Sequence, residues 1–438
     1  MEIDKTTLTD LVIVDREEEF SIFNKINFTV TARGREQLRT NLLYPLSDIA
    51  NINNVQQTIL FIKKNKAKWP FIITNGTVMV IEKFYDSHID AIPSKPSSID
   101  AFSYKLFHGH DYTLVKYSVL HFFNFIKGMQ HVVASFLNDK TPQLLKDALQ
   151  EAERILNKPT LNIIATKNKA SDLMPAEMLE LAHFFKYRYK INFYELLHIF
   201  CKLDAWHSMA IAIEKYNLCM PHFIESDLPH IEARNLYNLM LQNPVAYNVL
   251  LNEATNFLFL TGANMAGKST FIKACGMAVY LAHTGMGVPA AQMKLSFFDG
   301  ILSNINVIDN IAKGESYFFN EVQRIKATVQ KVNNGKKWLI LIDELFKGTN
   351  VQDAMKCSST VIEGLLKIKS SIFILSTHLY EIGNDLKKHP NICFNYFETT
   401  VIDDQLSFSY QLREGISNDR LGYLILKNEG VVKMLEEI

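Results

Sequence analysis

The sequence has no excess of either charge: 46 basic residues are matched by 46 acidic ones, and the formal net charge is zero. This balance excludes the overall basic footprint of a chain that grips nucleic acid along its whole surface, and leaves only a local basic face open. Cysteine is scarce. The five residues Cys201, Cys219, Cys275, Cys357 and Cys393 are odd in number and widely spaced, which excludes a close-spaced zinc or redox pair and fits buried thiols in a reducing compartment. No apolar run approaches bilayer length. The opening residues, Met1-Glu-Ile-Asp-Lys, are too polar and acidic for a secretory leader. The expected location is cytoplasmic, without a membrane partner. What the chain does have is apolar substance, 48% hydrophobic against 21% charged over 438 residues, which predicts two or three folded domains rather than disorder.

The first half reads as helix. Phe20-Ser-Ile-Phe-Asn-Lys-Ile and Gly34-Arg-Glu-Gln-Leu-Arg-Thr-Asn-Leu-Leu carry apolar residues at helical spacing, Tyr44-Pro45-Leu46-Ser47-Asp48 breaks the pattern, and Ile52 to Lys63 resumes it. Lys63, Lys64, Lys66 and Lys68 read as a solvated helix end. After a connector at Ala91-Ile-Pro-Ser-Lys-Pro-Ser-Ser, three long helical stretches follow, roughly 106–137, 141–156 and 175–215, with the aromatic content of a bundle core. His108, His110, His121 and His131 lack a regular ligand spacing and read as structural. Near residue 236 the texture changes. Short apolar runs, Phe257-Leu-Phe-Leu, Trp338-Leu-Ile-Leu-Ile, Ser371-Ile-Phe-Ile-Leu and Phe394-Asn-Tyr-Phe, alternate with helical patterns, as in an α/β sheet with buried central strands.

The strongest motif follows the first of those runs. Gly262-Ala-Asn264-Met265-Ala266-Gly267-Lys268-Ser269, continued by Thr270, fits the phosphate-binding loop pattern between a strand and a helix. The two glycines let the backbone wrap closely around phosphate oxygens, and N–H groups at a helix start point inward. Lys268 is then expected to reach the β- and γ-phosphates of ATP, and the Ser269 hydroxyl to bind Mg²⁺. The candidate nucleotide-binding set is Gly262, Asn264, Met265, Ala266, Gly267, Lys268, Ser269 and Thr270. Downstream, Leu339-Ile-Leu-Ile-Asp343-Glu344 has the form of a buried strand that delivers Asp343 to the metal and Glu344 to the attacking water. Ser376-Thr-His378 closes the next apolar run.

Together these pieces resemble the MutS family, a branch of the ABC ATPases. Thr261-Gly-Ala-Asn-Met-Ala-Gly-Lys-Ser-Thr270 looks like its Walker A, with Ala263 and Ala266 where the family usually has Pro and Gly. Val288-Pro-Ala290 matches a landmark after the first helix. Gly314-Glu-Ser316-Tyr-Phe-Phe-Asn-Glu321 resembles the signature segment, and Asp343-Glu-Leu-Phe-Lys-Gly-Thr349 the Walker B extension, with Phe346 and Lys347 replacing Gly and Arg. Asn350 and Asp353 fall in the D-loop region. Thr377-His378 matches the H-loop, whose His in ABC-type sites contacts the γ-phosphate. Outside the ATPase, Phe28 to Arg39, Leu43-Tyr-Pro45-Leu-Ser-Asp48 and Ile52-Asn53 look like the start of the MutS core. Leu203-Asp204-Ala205-Trp-His-Ser-Met-Ala210 is similar to the lever helix, and Gly415-Ile-Ser417 through Glu429-Gly430 to the segment near the C-terminal helices.

The resemblance implies a multidomain chain: an all-α core and lever over 1–235 with the clamp reduced or absent, an α/β P-loop ATPase over 236–415, and a short helical tail over 416–438. It implies ATP and Mg²⁺ as cofactors and a homodimer with composite sites, Ser316 acting in trans beside the catalytic Glu344 and His378. The expected beginning at the core, without mismatch-reading and connector domains, implies binding to double-stranded DNA without mismatch preference, in DNA repair. An ATP-dependent switch acting on a protein partner is the alternative.

Overall fold

A computed structural model describes residues 1–14, 20–305, 317–402, 405–417, 426, 428 and 430–436. The chain forms two compact units, one made of Met1–Lys25, Tyr44–Ile52 and Ile213–Ile438, the other of Ile26–Leu43 and Asn53–Ala212. A multidomain α/β architecture is therefore present, but the units do not coincide with the division expected at residue 235. The chain passes through the α/β unit twice before residue 213, the first time as short N-terminal elements of which one strand joins its sheet.

Those elements are β1 (Glu2–Ile3), α1 (Lys5–Asp10) and α2 (Ile22–Ile26). Asp4 caps α1 by accepting from Thr7 N at 2.7 Å. β1 pairs in parallel with the strand Gly300–Asn304. Thr7 Oγ1 then accepts from Ser303 N at 2.9 Å, while the buried Asp10 carboxylate accepts from Ser303 Oγ and from Ile305 N at 3.2 Å. A two-residue strand has too few positions to show periodicity, which is why sequence pattern missed it.

The second unit has only helices among its described elements: α3 (Ala32–Leu43), α4 (Ile49–Lys64, from Asn53 on), α5 (Asn75–Asp86), α6 (Ser98–Phe107), α7 (Gly109–Phe136), α8 (Gln143–Leu156), α9 (Asn162–Thr166), α10 (Pro175–Arg188) and α11 (Lys190–Lys215, as far as Ala212). Thr74 with Thr77, and Ser97 with Asp100, form capping boxes that start α5 and α6. The stretches expected as single helices over 106–137 and 175–215 are each broken, at His108 and at Tyr189. Phe122 stacks on Phe185 with ring centroids 4.2 Å apart, and Phe125 meets Phe193 edge-on at 5.1 Å, so the aromatics do fill a bundle core. α11 is also long and apolar enough to cross a bilayer, contrary to the expectation from sequence, yet its most apolar window is 83% buried inside the protein.

One buried carboxylate ties the start of this unit to its last helix. Asp204, on α11, accepts from Val30 N at 2.9 Å, Thr31 N at 3.0 Å and Thr31 Oγ1 at 2.8 Å, and burial pushes its carboxyl up against those donors. One turn on, Ser208 Oγ donates to Ile26 O at 2.8 Å and accepts from Phe28 N at 2.7 Å. A Cβ at Gly34 would collide with the Asp204 carboxylate, so glycine is required there by close approach rather than by backbone angle.

The first unit continues with β2 (His222–Ile224), β3 (Ile231–Leu236), β4 (Tyr247–Leu251), β5 (Phe257–Thr261), α12 (Lys268–His283), β6 (Gln292–Ser296), β7 (Gly300–Asn304), α13 (Tyr317–Val332), β8 (Trp338–Asp343), α14 (Val351–Leu365), β9 (Ile372–Ser376), α15 (Glu381–Leu386), β10 (Ile392–Ile402), β11 (Gln405–Glu414) and α16 (Val431–Glu436). A seven-stranded sheet runs β1-β7-β8-β9-β5-β10-β11, parallel except for the β10–β11 hairpin. A second, four-stranded sheet runs β2-β6-β3-β4. Residues of β5, β7 and β9 are buried throughout, as central parallel strands covered on both faces require. At the end of α12, the fully buried His283 donates from Nδ1 to Val279 O at 2.7 Å and accepts at Nε2 from Phe298 N at 2.9 Å. Burial holds its pKa down at about 3, so it packs as the neutral ring.

Replacing Asp204 with Ala leaves three buried donors without an acceptor. The expected cost is about 2–5 kcal/mol, with a smaller loss for Asp204→Asn, which keeps one acceptor oxygen. Urea midpoints of the two variants against the unsubstituted chain check this; equal midpoints would refute the anchoring role.

Candidate active site

The loop leaving β5 takes a conformation few residues tolerate. Gly262 has φ 138°, Met265 φ 65° and Gly267 φ 111°, and α12 begins at the next residue. A Cβ on Gly262 would sit 3.2 Å from both the Cβ and the carbonyl of Phe397, closer than side chains ordinarily pack, and its backbone angle strains any residue but glycine. The first-turn N–H groups of α12 lack intrahelical acceptors and carry the positive end of the helix dipole. That is the physical basis of an anion cradle. Ala266 is buried beneath the loop, while Asn264, Met265 and Ser269 are exposed and Thr270 is half-buried. Asn238 Nδ2 donates to Thr270 O at 3.1 Å and fastens the first turn.

Lys268 is 6% exposed. Its amine donates to Gly262 O at 2.7 Å and Ala263 O at 3.0 Å, folding back across the loop. Burial pushes its pKa down to about 8, against the opposing pull of the Glu344 and Asp343 carboxylates.

Strand register delivers the remaining groups. β9 lies between β5 and β8, with Ser376 opposite both Leu260 and Asp343. Ser376 Oγ therefore donates to Asp343 Oδ1, and Thr377 N donates to Leu260 O at 2.9 Å. Just past β8, Glu344 adopts φ 66° and donates its N–H to Ser376 O at 3.0 Å. This turn aims its carboxylate at His378 Nε2, 2.9 Å away, with Lys347 Nζ 3.4 Å from the other oxygen. Nε2 carries the proton it donates to Glu344, so the 3.4 Å approach of Lys268 Nζ to the same atom is a close contact. Burial raises the Glu344 carboxyl, but the His378 hydrogen bond and the charges of Lys347 and Lys268 together outweigh it and hold the pKa below the ordinary value.

Of the residues expected from sequence, the structure brings Lys268, Glu344, His378 and Asp343 together beside the glycine loop. Ser269 stands in the first turn of α12 with its hydroxyl exposed. A hydroxyl and a carboxylate are hard oxygen donors, so Ser269 and Asp343 fit Mg²⁺ by donor chemistry. Ser316 lies outside the described residues. Sequence reading assigned no role to the Ser376 hydroxyl, the Lys347 amine or Phe397; their contributions depend on register and on a hairpin partner, neither of which a local pattern encodes.

Residues 258–435 match the family described as MutS domain V. The chain is 27% identical over 293 residues to the DNA mismatch repair protein MutS of Thermotoga maritima, covering 65% of this chain and 36% of that protein. It is 28% identical over 314 residues to the protein of the same name from Bacillus subtilis, covering 66% and 36%. With that of Leuconostoc citreum it shares 31% over 240 residues, covering 53% and 27%. Over residues 258–435 the chain is a member of the MutS domain V family. It spans about a third of the length of the curated relatives it matches. The MutS domain V match runs from the second residue of β5 into α16, and so takes in every described site residue named above except Asn238.

The Lys268 amine should titrate near pH 8 rather than above 10. Because Glu344 raises it, Glu344→Gln should lower the midpoint further, and Lys347→Ala should raise it. Carbon-13 NMR of labelled lysine Cε reads this directly; an ordinary midpoint for Lys268, unmoved by Glu344→Gln, would refute the coupling.

Proposed function

We propose that this chain is a MutS-type ATPase that binds Mg-ATP at the β5–α12 loop, hydrolyses it, and uses the cycle to move helical arms in DNA binding or repair. The observation that carries the reading is the convergence of the Lys268 amine, the Glu344 carboxylate and the His378 imidazole at the carboxyl ends of neighbouring parallel strands. Phosphate oxygens would replace the Gly262 and Ala263 carbonyls as partners of Lys268. Glu344, ionised at neutral pH, would orient the attacking water and accept its proton as the bond between the β- and γ-phosphates breaks. His378 would hold the Glu344 carboxylate and face the γ-phosphate. Mg²⁺, held by Ser269 and Asp343, would neutralise charge on the phosphates. Asn264, Met265, Ala266 and Thr270 would complete the loop around them.

A homodimer belongs to this proposal, with Ser316 of one copy serving the phosphates bound by the other, in the cytoplasm and on double-stranded DNA. A second reading, a switch acting on a protein partner without DNA, is favoured by one observation. The outer face of α6 leaves Ile99, Phe102, Leu106 and Phe107 exposed, and clustered apolar side chains of that size mark interaction surfaces. Duplex binding across a salt series separates the readings, since phosphate contacts impose a steep negative slope and a protein-directed switch shows no duplex affinity.

Lys268→Ala should abolish tight binding of a fluorescent ATP analogue. Glu344→Gln should keep binding but slow hydrolysis by about 10²- to 10⁴-fold, the range for loss of a positioned general base. Near-normal ATP affinity in the first variant, or near-normal turnover in the second, would overturn the assignment.

A further inference from the structure

Glu321, on α13, is a charged side chain with only 5% exposure, and a carboxylate that deep requires donors on both oxygens. It finds them in the turn after Glu344. Oε1 accepts from Lys347 N at 3.0 Å and Oε2 from Gly348 N at 3.2 Å. Charge-assisted bonds of this kind are roughly twice as strong as neutral ones, and two on one carboxylate fix orientation as well as distance.

That turn needs fixing. Glu344 and Phe346 both hold positive φ, at 66° and 59°, a conformation that strains a non-glycine residue and persists only when its surroundings over-determine it. α13 supplies two restraints: Glu321 on the backbone, and Phe318, whose ring lies 5.6 Å from that of the buried Phe346. The helix is itself tied to the sheet, through Asn304 Nδ2 to Thr328 Oγ1 at 3.3 Å and Lys331 to Glu2 at 2.6 Å. The residue whose N–H Glu321 holds is also the one whose amine reaches back to the Glu344 carboxylate, 3.4 Å away.

We infer that Glu321 is a positioning residue for Glu344: its carboxylate clamps the 344–348 turn, and thereby sets where the hydrolytic carboxylate points. The inference rests on the ATPase reading above, and it makes α13 the element through which a displacement would reach the Glu344 carboxylate. Nucleotide contact itself is not part of the role.

Two measurements on the whole chain test it. In Glu321→Ala, amide hydrogen exchange at Lys347 and Gly348 should speed up at least tenfold while β8 and β9 stay protected. The kcat for ATP should fall about tenfold or more with the Kd for a non-hydrolysable ATP analogue within twofold of normal. Glu321→Gln, which keeps one acceptor oxygen, should fall between; it also serves if the Ala variant does not fold. Unchanged exchange at Lys347 and Gly348 overturns the clamp. Accelerated exchange with unchanged kcat overturns the positioning role, as does a parallel loss of Kd and kcat. Absence of hydrolysis in the unsubstituted chain overturns the ATPase reading and the positioning role with it, and is told apart by requiring no variant.

Discussion

Backbone pairing of β5, β9 and β8 places Leu260 beside Ser376 and Ser376 beside Asp343, and the chemistry of the site is arranged around that alignment. Parallel strands end at one edge together, so the loops that follow them meet. One loop then carries the Lys268 amine, another the Glu344 carboxylate and a third His378, none of which is near the others in sequence. A shift of one residue in β8 would send Asp343 to the opposite face of the sheet. The hydrogen bonds from Ser376 Oγ to Asp343 Oδ1, from Glu344 N to Ser376 O and from Thr377 N to Leu260 O hold the alignment at the strand ends. Phe257 stacked on Phe373, 5.7 Å between centroids, locks β5 and β9 at their other end.

Within that frame the site is held under tension rather than at rest. Lys268 is buried enough to lose much of its preference for the charged form, and nearby carboxylates partly restore it. Glu344 shows the reverse balance: burial disfavours its charge, and three basic neighbours more than compensate. Each group is poised by the other. The left-handed turn at Glu344 and Phe346 adds local strain, which neighbouring packing and hydrogen bonds must offset.

Much of this was legible in sequence, and what was not has definite physical causes. The glycine loop and the Asp343-Glu344 strand end could be read because their chemistry demands particular residue types at fixed spacing. β5, β8 and β9 could be read because buried parallel strands are apolar runs, and β10 from its Phe394-Asn-Tyr-Phe stretch, although most of that strand is only partly buried. β3 and β4 could not: they alternate buried and exposed residues over a few positions, and a shift in their pairing near Leu236 interrupts the pattern. The break at His108 has Gly109 beside it but lies inside otherwise helical composition, and the break at Tyr189 has neither proline nor glycine to mark it. The interleaving of the two units was beyond local reading altogether, since it depends on a two-residue strand finding a partner far along the chain.

That interleaving gives the protein an order in time. Ser303 donates to Thr7 across 296 positions, so Thr7 must wait for a strand that emerges much later. At synthesis rates of about 5–20 residues per second, the wait lasts tens of seconds. All residues of the helical unit have left the ribosome once Ala212 has emerged, whereas the α/β unit is still missing most of its strands. The helical unit thus has every reason to fold before the α/β unit, and the segment around Thr7 stays unpaired until the sheet that receives it exists.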